Sequence, residues 1–162
     1  MIYYFPLKPR LKALLRLRQF RILLEHEFLR PRKRGLMTDI FDSPAWQTLM
    51  GPPASPCRRI GLLVCYDGFQ VHANNAFCPC SAKPVQLQNL SLPPALRTKN
   101  KFMLLLMLIP QDVKNFSQKK YFDFAAEYEL KTLATSGISG VKCHVFGTSM
   151  DTPGRADLLG IL

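Results

Sequence analysis

Two aspartates have the setting that phosphoryl-transfer chemistry asks for. The stretch Arg59-Ile60-Gly61-Leu62-Leu63-Val64-Cys65-Tyr66-Asp67-Gly68-Phe69 is a continuous apolar run that closes on a carboxylate and then a glycine. Such a run predicts a strand buried on both faces, with Asp67 carried to the rim of the sheet. Val141 to Gly154 has the same grammar, a β-prone run that closes on Asp151 and the turn signal Pro153-Gly154. In open α/β sheets, sites gather at the carboxyl ends of strands. Held side by side, two strand-end aspartates suit a pair of Mg²⁺ or Mn²⁺ ions, which two-metal chemistry keeps about 3.5–4 Å apart. One ion activates the attacking water or 3′-hydroxyl, and the other stabilises the leaving oxygen. A hard cation takes oxygen ligands and keeps several waters, so few protein groups are needed. Asp67 could bridge both ions and Asp151 complete one, while Gly68 and Gly154 leave room for a phosphate backbone. Taken singly, Asp67 reads as an Asp-Gly turn residue and Asp151 as an Asx-turn or helix N-cap. Their matched placement is what favours a catalytic and metal site.

Other chemistries find less support. The histidines are His26, His72 and His144, and none sits in a nucleophile elbow or an HExxH spacing. No phosphate-binding glycine loop is present. The five cysteines, Cys57, Cys65, Cys78, Cys80 and Cys143, are odd in number and irregular in spacing, which suggests a reducing compartment and not a disulfide framework. Cys65 and Cys143 fall inside predicted strands and read as small buried hydrophobes. Cys78-Pro79-Cys80 with His72 has too short a gap for the usual C-x2-4-C zinc knuckle.

Charge points to a polyanion. The 162 residues carry a net charge of +11, which implies nucleic acid first, a membrane surface second, or simply a soluble basic surface. Met1 to Arg34 holds ten basic residues against Glu25 and Glu27, so +8 of the +11 lies there. Within it, Leu11, Leu14, Leu15, Phe20, Leu23, Leu24 and Phe28 recur at helical spacing from Lys8 to Phe28. Lys8, Arg10, Lys12, Arg16 and Arg18 fill other positions, and Arg30, Arg32, Lys33 and Arg34 follow. The segment fits a DNA-contacting arm or nuclear address, and equally a solvated basic helix packed through its leucine face. Its lack of acids before Glu25 also fits a mitochondrial transit peptide, though the usual serines are missing. The basic residues interrupt any signal-peptide core, and Phe102 to Ile109 is too short to span a bilayer. No membrane role is expected.

These elements must position the aspartates. Residues 1–50 read as a basic helical N-terminal segment, with Ser43-Pro44 starting a helix that turns Trp46 and Leu49 to a core. Residues 51–58 are a Pro-rich linker, and 59–162 form the α/β core. In that core, strands are predicted at Ile60–Tyr66, Val85–Leu92, Lys101–Ile109 and Val141–Phe146. A helix from Ser117 to Thr135 buries Phe122, Ala125, Ala126, Leu130 and Leu133 and stops at Gly137. Arg155 begins a last helix. The order β-β-β-α-β-α is that of a ribonuclease-H-like mixed sheet, in which the fourth strand lies parallel beside the first.

The residues resemble the transposases of CACTA (En/Spm-type) DNA transposons. The resemblance runs over nearly the whole chain, from Tyr3-Tyr4-Phe5-Pro6-Leu7-Lys8-Pro9-Arg10-Leu11 through Asp42-Ser43-Pro44-Ala45-Trp46 to Asp67-Gly68-Phe69. It continues at Asn89-Leu90-Ser91-Leu92-Pro93-Pro94 and Leu108-Ile109-Pro110, and closes at Asp151-Thr152-Pro153-Gly154-Arg155-Ala156. It implies a DDE-type, Mg²⁺- or Mn²⁺-dependent transposase core in the nucleus, with Asp67 as first carboxylate and Asp151 as second. The third carboxylate of such enzymes, a Glu on a later helix, has no counterpart here. Val71 to Lys83 also departs from the pattern. The expectation is therefore an incomplete core that binds DNA and cuts or transfers strands only with a Glu from a longer product or another transposase chain. The alternative is an inactive, domesticated DNA-binding remnant.

Overall fold

The computed structural model describes residues 2–51, 59–67, 69–70, 81–110, 120 and 122–150. In chain order the strands are β1 (Tyr3–Tyr4), β2 (Arg59–Tyr66), β3 (Phe69–Gln70), β4 (Ser81–Asn89), β5 (Leu104–Pro110) and β6 (Lys142–Ser149). They form one mixed sheet in the order β1-β5-β4-β2-β6, with β3 on the edge of β4. The contacts of β4 with β2 and β5, and of β1 with β5, are antiparallel. Those of β2 with β6 are parallel. The architecture is mixed α/β.

Position in the sheet explains the composition of β2. With β4 on one side and β6 on the other, both of its edges are paired and both its faces are covered. Ile60, Leu62, Val64 and Tyr66 turn into the main core, each 2% exposed or less. Leu63 faces the other way, onto a smaller cluster of Phe41, Trp46 and Leu90. Gly61 is a steric requirement: a Cβ there would stand 2.4 Å from two carbons of the Trp46 ring.

Helices cover the deeper face. The single helix read from Lys8 to Phe28 is three: α1 (Leu7–Arg16), α2 (Arg18–Leu24) and α3 (His26–Leu29). Leu17 is extended and separates the first two, and Glu25 separates the next. The breaks re-aim the apolar stripe, so that Leu7, Leu11 and Leu15 from α1 and Phe20 and Leu24 from α2 all reach the core of the sheet. Burying each such side chain contributes about 1.5–3 kcal/mol. The basic segment and the sheet thus share one hydrophobic core. Residues 52–58 of the linker lie outside the described residues.

Ser43 caps α4 (Pro44–Met50) as its sequence suggests, accepting a hydrogen bond from the Trp46 amide at 3.1 Å, and Trp46 turns to the core while Leu49, against expectation, is exposed. A short α5 (Pro94–Arg97) precedes β5. Residues 122–125 are helical and lead through a π-helical turn (Ala126–Leu130) into α6 (Lys131–Thr135). The wider turn re-phases the helix, so that Glu129 is buried together with Ala125, Leu130 and Leu133. Gly137, at φ +69°, ends it as predicted, and a Cβ there would meet the Val141 carbonyl oxygen at 2.6 Å. Strand ends differ from expectation. β4 stops at Asn89 because the Asn89 side chain and Ser91 build a turn that bonds back to Gly61. β1 is a two-residue strand that no periodicity could have announced.

Candidate active site at the carboxyl ends of two parallel strands

The parallel pair sets the geometry. Cys65 of β2 stands opposite Ser149 of β6 at the same end of the sheet. Asp67 comes directly after β2 and is exposed. A cavity of about 450 Å³ opens there, with Cys65, Asp67, Pro84, Gln86 and Ser149 in its wall. β2 delivers Asp67, the antiparallel neighbour β4 delivers Gln86, and β6 delivers Ser149. Asp151, Gly68 and Gly154 lie outside the described residues, as does the Cys78-Pro79-Cys80 segment.

The wall offers oxygen donors. Asp67 gives a carboxylate, Gln86 an amide oxygen and Ser149 a hydroxyl, a set that suits a hard cation such as Mg²⁺ or Mn²⁺. Of the two sulfur side chains in the wall, Met150 offers only a neutral thioether, and burial pushes the Cys65 thiol up and keeps it protonated. Burial likewise pushes Cys143, in β6, up to about 12. Neither thiol is a nucleophile at neutral pH. Among the described residues no three acidic, His or Cys side chains cluster as a metal site. Asp67 is the carboxylate the described residues supply to the cavity.

Among the described residues the histidines stay out of the cavity wall, and His72 lies outside the described residues. His144, half-buried on the edge strand β6, pairs with Gly61 of β2, and burial, aided by Lys142 and Arg59, lowers its pKa. His26 lies 3.8 Å from Asp39, yet burial outweighs that carboxylate and lowers its pKa as well.

The basic residues divide. Lys12, Arg16, Arg18, Arg32, Lys33 and Arg34 are exposed, and Lys8 and Arg10 are half-buried at the start of α1. Arg10 donates to the carbonyls of Pro6 at 2.9 Å and Phe5 at 2.6 Å. Arg30 is different in kind. It is buried, ion-paired with Asp42 and bonded to Thr38 at 3.0 Å, so its guanidinium is committed to the fold and not presented to a phosphate.

Two wall residues, Gln86 and Ser149, escaped the sequence reading. Gln86 alternates with Val85 and Leu87 in β4, a polar position that strand alternation alone assigns to a solvated face. Ser149 became visible only once the register of β6 on β2 was known. Among the described residues no helix is long and apolar enough to cross a membrane. Compared with protein-family models, curated proteins and solved structures, the chain matches none.

Proposed function

We propose that this chain is a DNA-acting phosphoryl-transfer core of ribonuclease-H-like design, akin to CACTA-type transposases, with Asp67 as its first catalytic carboxylate and Asp151 as the second. One observation carries the reading. Two parallel neighbours, β2 and β6, end at one cavity, and Asp67 and Asp151 follow the paired residues Cys65 and Ser149 by the same two positions in sequence. The antiparallel β5-β4-β2 set with β6 parallel beside β2 is the strand order such a core requires.

The cavity residues fit a divalent cation. Asp67 would hold it, with Gln86 and Ser149 turned to its water shell; bound there, the ion would activate a water or 3′-hydroxyl and neutralise charge on the phosphoryl oxygens. The protein's own share is placement. β2, paired on both edges, fixes the height of Asp67 at the sheet rim, and Tyr66 beneath it is locked into the core at 2% exposure. The exposed cations of α1, α2 and the 32–34 turn attract the phosphate backbone, a pull that salt screens.

The test is Mn²⁺ binding followed by electron paramagnetic resonance on the wild-type chain and Asp67→Asn. The expected result is saturable binding that the substitution weakens at least tenfold, with the thermal melt unchanged. Binding indifferent to Asp67 would remove the catalytic reading. A second reading, DNA binding without the reaction, is favoured by the single carboxylate in the described part of the cavity wall. It expects DNA affinity that falls steeply from low to moderate salt and no Mn²⁺ effect of Asp67→Asn.

A further inference from the structure

An aromatic pair next to a cationic helix face is not used by the cavity. Phe124 and Tyr128 lie one helical turn apart on the helix before α6, exposed by 55% and 65%. Their rings are stacked at 5.4 Å between centroids and 7° between planes. The Tyr4 ring meets Phe124 edge-on at 6.2 Å. The Lys8 ammonium sits over the Tyr128 ring, 5.6 Å from its centroid.

Glu129 fixes this arrangement. Its buried carboxylate accepts from the Tyr4 hydroxyl at 2.5 Å and from the first amides of α1, Leu7 at 2.8 Å and Lys8 at 2.6 Å. The same carboxylate therefore caps α1 and clamps it beside the aromatic helix. From that junction Lys8, Lys12 and Arg16 recur at i, i+4 and i+8, one face of α1 that runs for about 12 Å. Lys12 and Arg16 are exposed. Besides the buried Glu129, Asp123 and Glu127 are the acidic residues adjacent in sequence to the pair.

We propose that Phe124, Tyr128 and the Lys8–Lys12–Arg16 face bind single-stranded DNA, bases on the rings and phosphates along the helix. Flat exposed π-faces attract unstacked bases of any identity, while a duplex keeps its bases stacked internally and offers only phosphate. A cationic stripe that begins at the rings complements a strand and not an uncharged partner. The choice of DNA over RNA rests on the proposed function, since strand cleavage and transfer expose frayed DNA ends.

The test is fluorescence anisotropy with an oligothymidylate of about 12 nucleotides, a blunt duplex of equal length and the matching oligouridylate. Tyr128→Leu keeps apolar bulk but removes the aromatic face, and the exposed site keeps the melt unchanged. The expected loss for the single strand is about 5-fold to 100-fold, with duplex affinity unaltered. Lys12→Ala should weaken both probes and lower the single-strand salt slope by about 0.7. Equal effects of Tyr128→Leu on strand and duplex, no effect, or no strand binding at all would overturn the inference, and tighter binding of oligouridylate would reassign the surface to RNA. Mn²⁺ binding that ignores Asp67, beside strand binding that follows Tyr128, removes the proposed function alone. The converse removes this surface alone.

Discussion

The carboxylates at one corner of this protein and the one at the end of β2 live in two different worlds. At the corner where α3, α4 and β2 meet, each is surrounded by donors. Glu27 is 5% exposed, and its Oε1 accepts from Arg59 at 2.5 Å and the Trp46 indole at 3.2 Å. Asp39 takes both oxygens to Arg97 at 2.7 and 2.9 Å. Asp42 holds Arg30 and accepts from Thr38 and Asp39. Arg30 and Arg97 also lie over the Phe41 ring, 5.5 and 5.2 Å from its centroid. At the carboxyl end of β2, by contrast, Asp67 is exposed on a cavity lined with neutral groups. The first set is spent on holding the fold. The second stands exposed at the rim of the sheet, where the proposed chemistry would need it.

Substitutions should separate the two worlds most sharply where a partner would be stranded. Glu27→Ala leaves the largely buried Arg59 guanidinium without its counter-charge, and a loss of about 3–5 kcal/mol in denaturant unfolding is expected. A loss below about 1 kcal/mol would mean that the corner is wetter than the geometry shows. Gly61→Ala comes next, because the new methyl must push Trp46 out of its slot. Overpacking of this kind costs about 1–3 kcal/mol, and indole fluorescence should shift to the red as the ring meets water. Removing the α4 cap with Ser43→Ala should cost about 1 kcal/mol, read from the shift in melting temperature.

Acid offers a gentler probe. Arg30, with the Thr38 and Asp39 amides, holds the Asp42 carboxyl far below the usual aspartate range. Its folded pKa lies below its unfolded one, so the stability it gives is complete above about pH 4, the unfolded value, and fades as pH falls further. Asp42→Asn should flatten that acid limb. The smallest effect belongs to Asp67→Asn, within about 0.5 kcal/mol in stability. A large destabilisation there would place Asp67 among the structural carboxylates and blur the contrast.

Much of the sheet was legible because its signals are local. The unbroken run to Tyr66 gave β2 to within a residue, and Ser43-Pro44 and Gly137 gave one helix start and one helix stop. The corner was not legible. Glu27 and Arg59 stand 32 positions apart and Asp39 and Arg97 stand 58 apart, so no window in the sequence contains both partners. Arg30 looked like its neighbours Arg32 and Lys33 for the same reason. Only the fold distinguishes a buried guanidinium from an exposed one. The stripe of α1 and α2 was read at the right period, but periodicity does not record the breaks at Leu17 and Glu25 that re-aim it.

The clamp at Glu129 has a consequence for how the protein is made. The first turn of α1 waits for a carboxylate more than 120 positions later, and β1 waits for β5. On the ribosome, at about 5–20 residues per second, the leading helices spend several seconds without the groups that seat them. Over that interval the Leu7, Leu11 and Leu15 stripe has no sheet to cover. The α1 stripe therefore finds its seat only after β5 and the turn that carries Glu129 have been made.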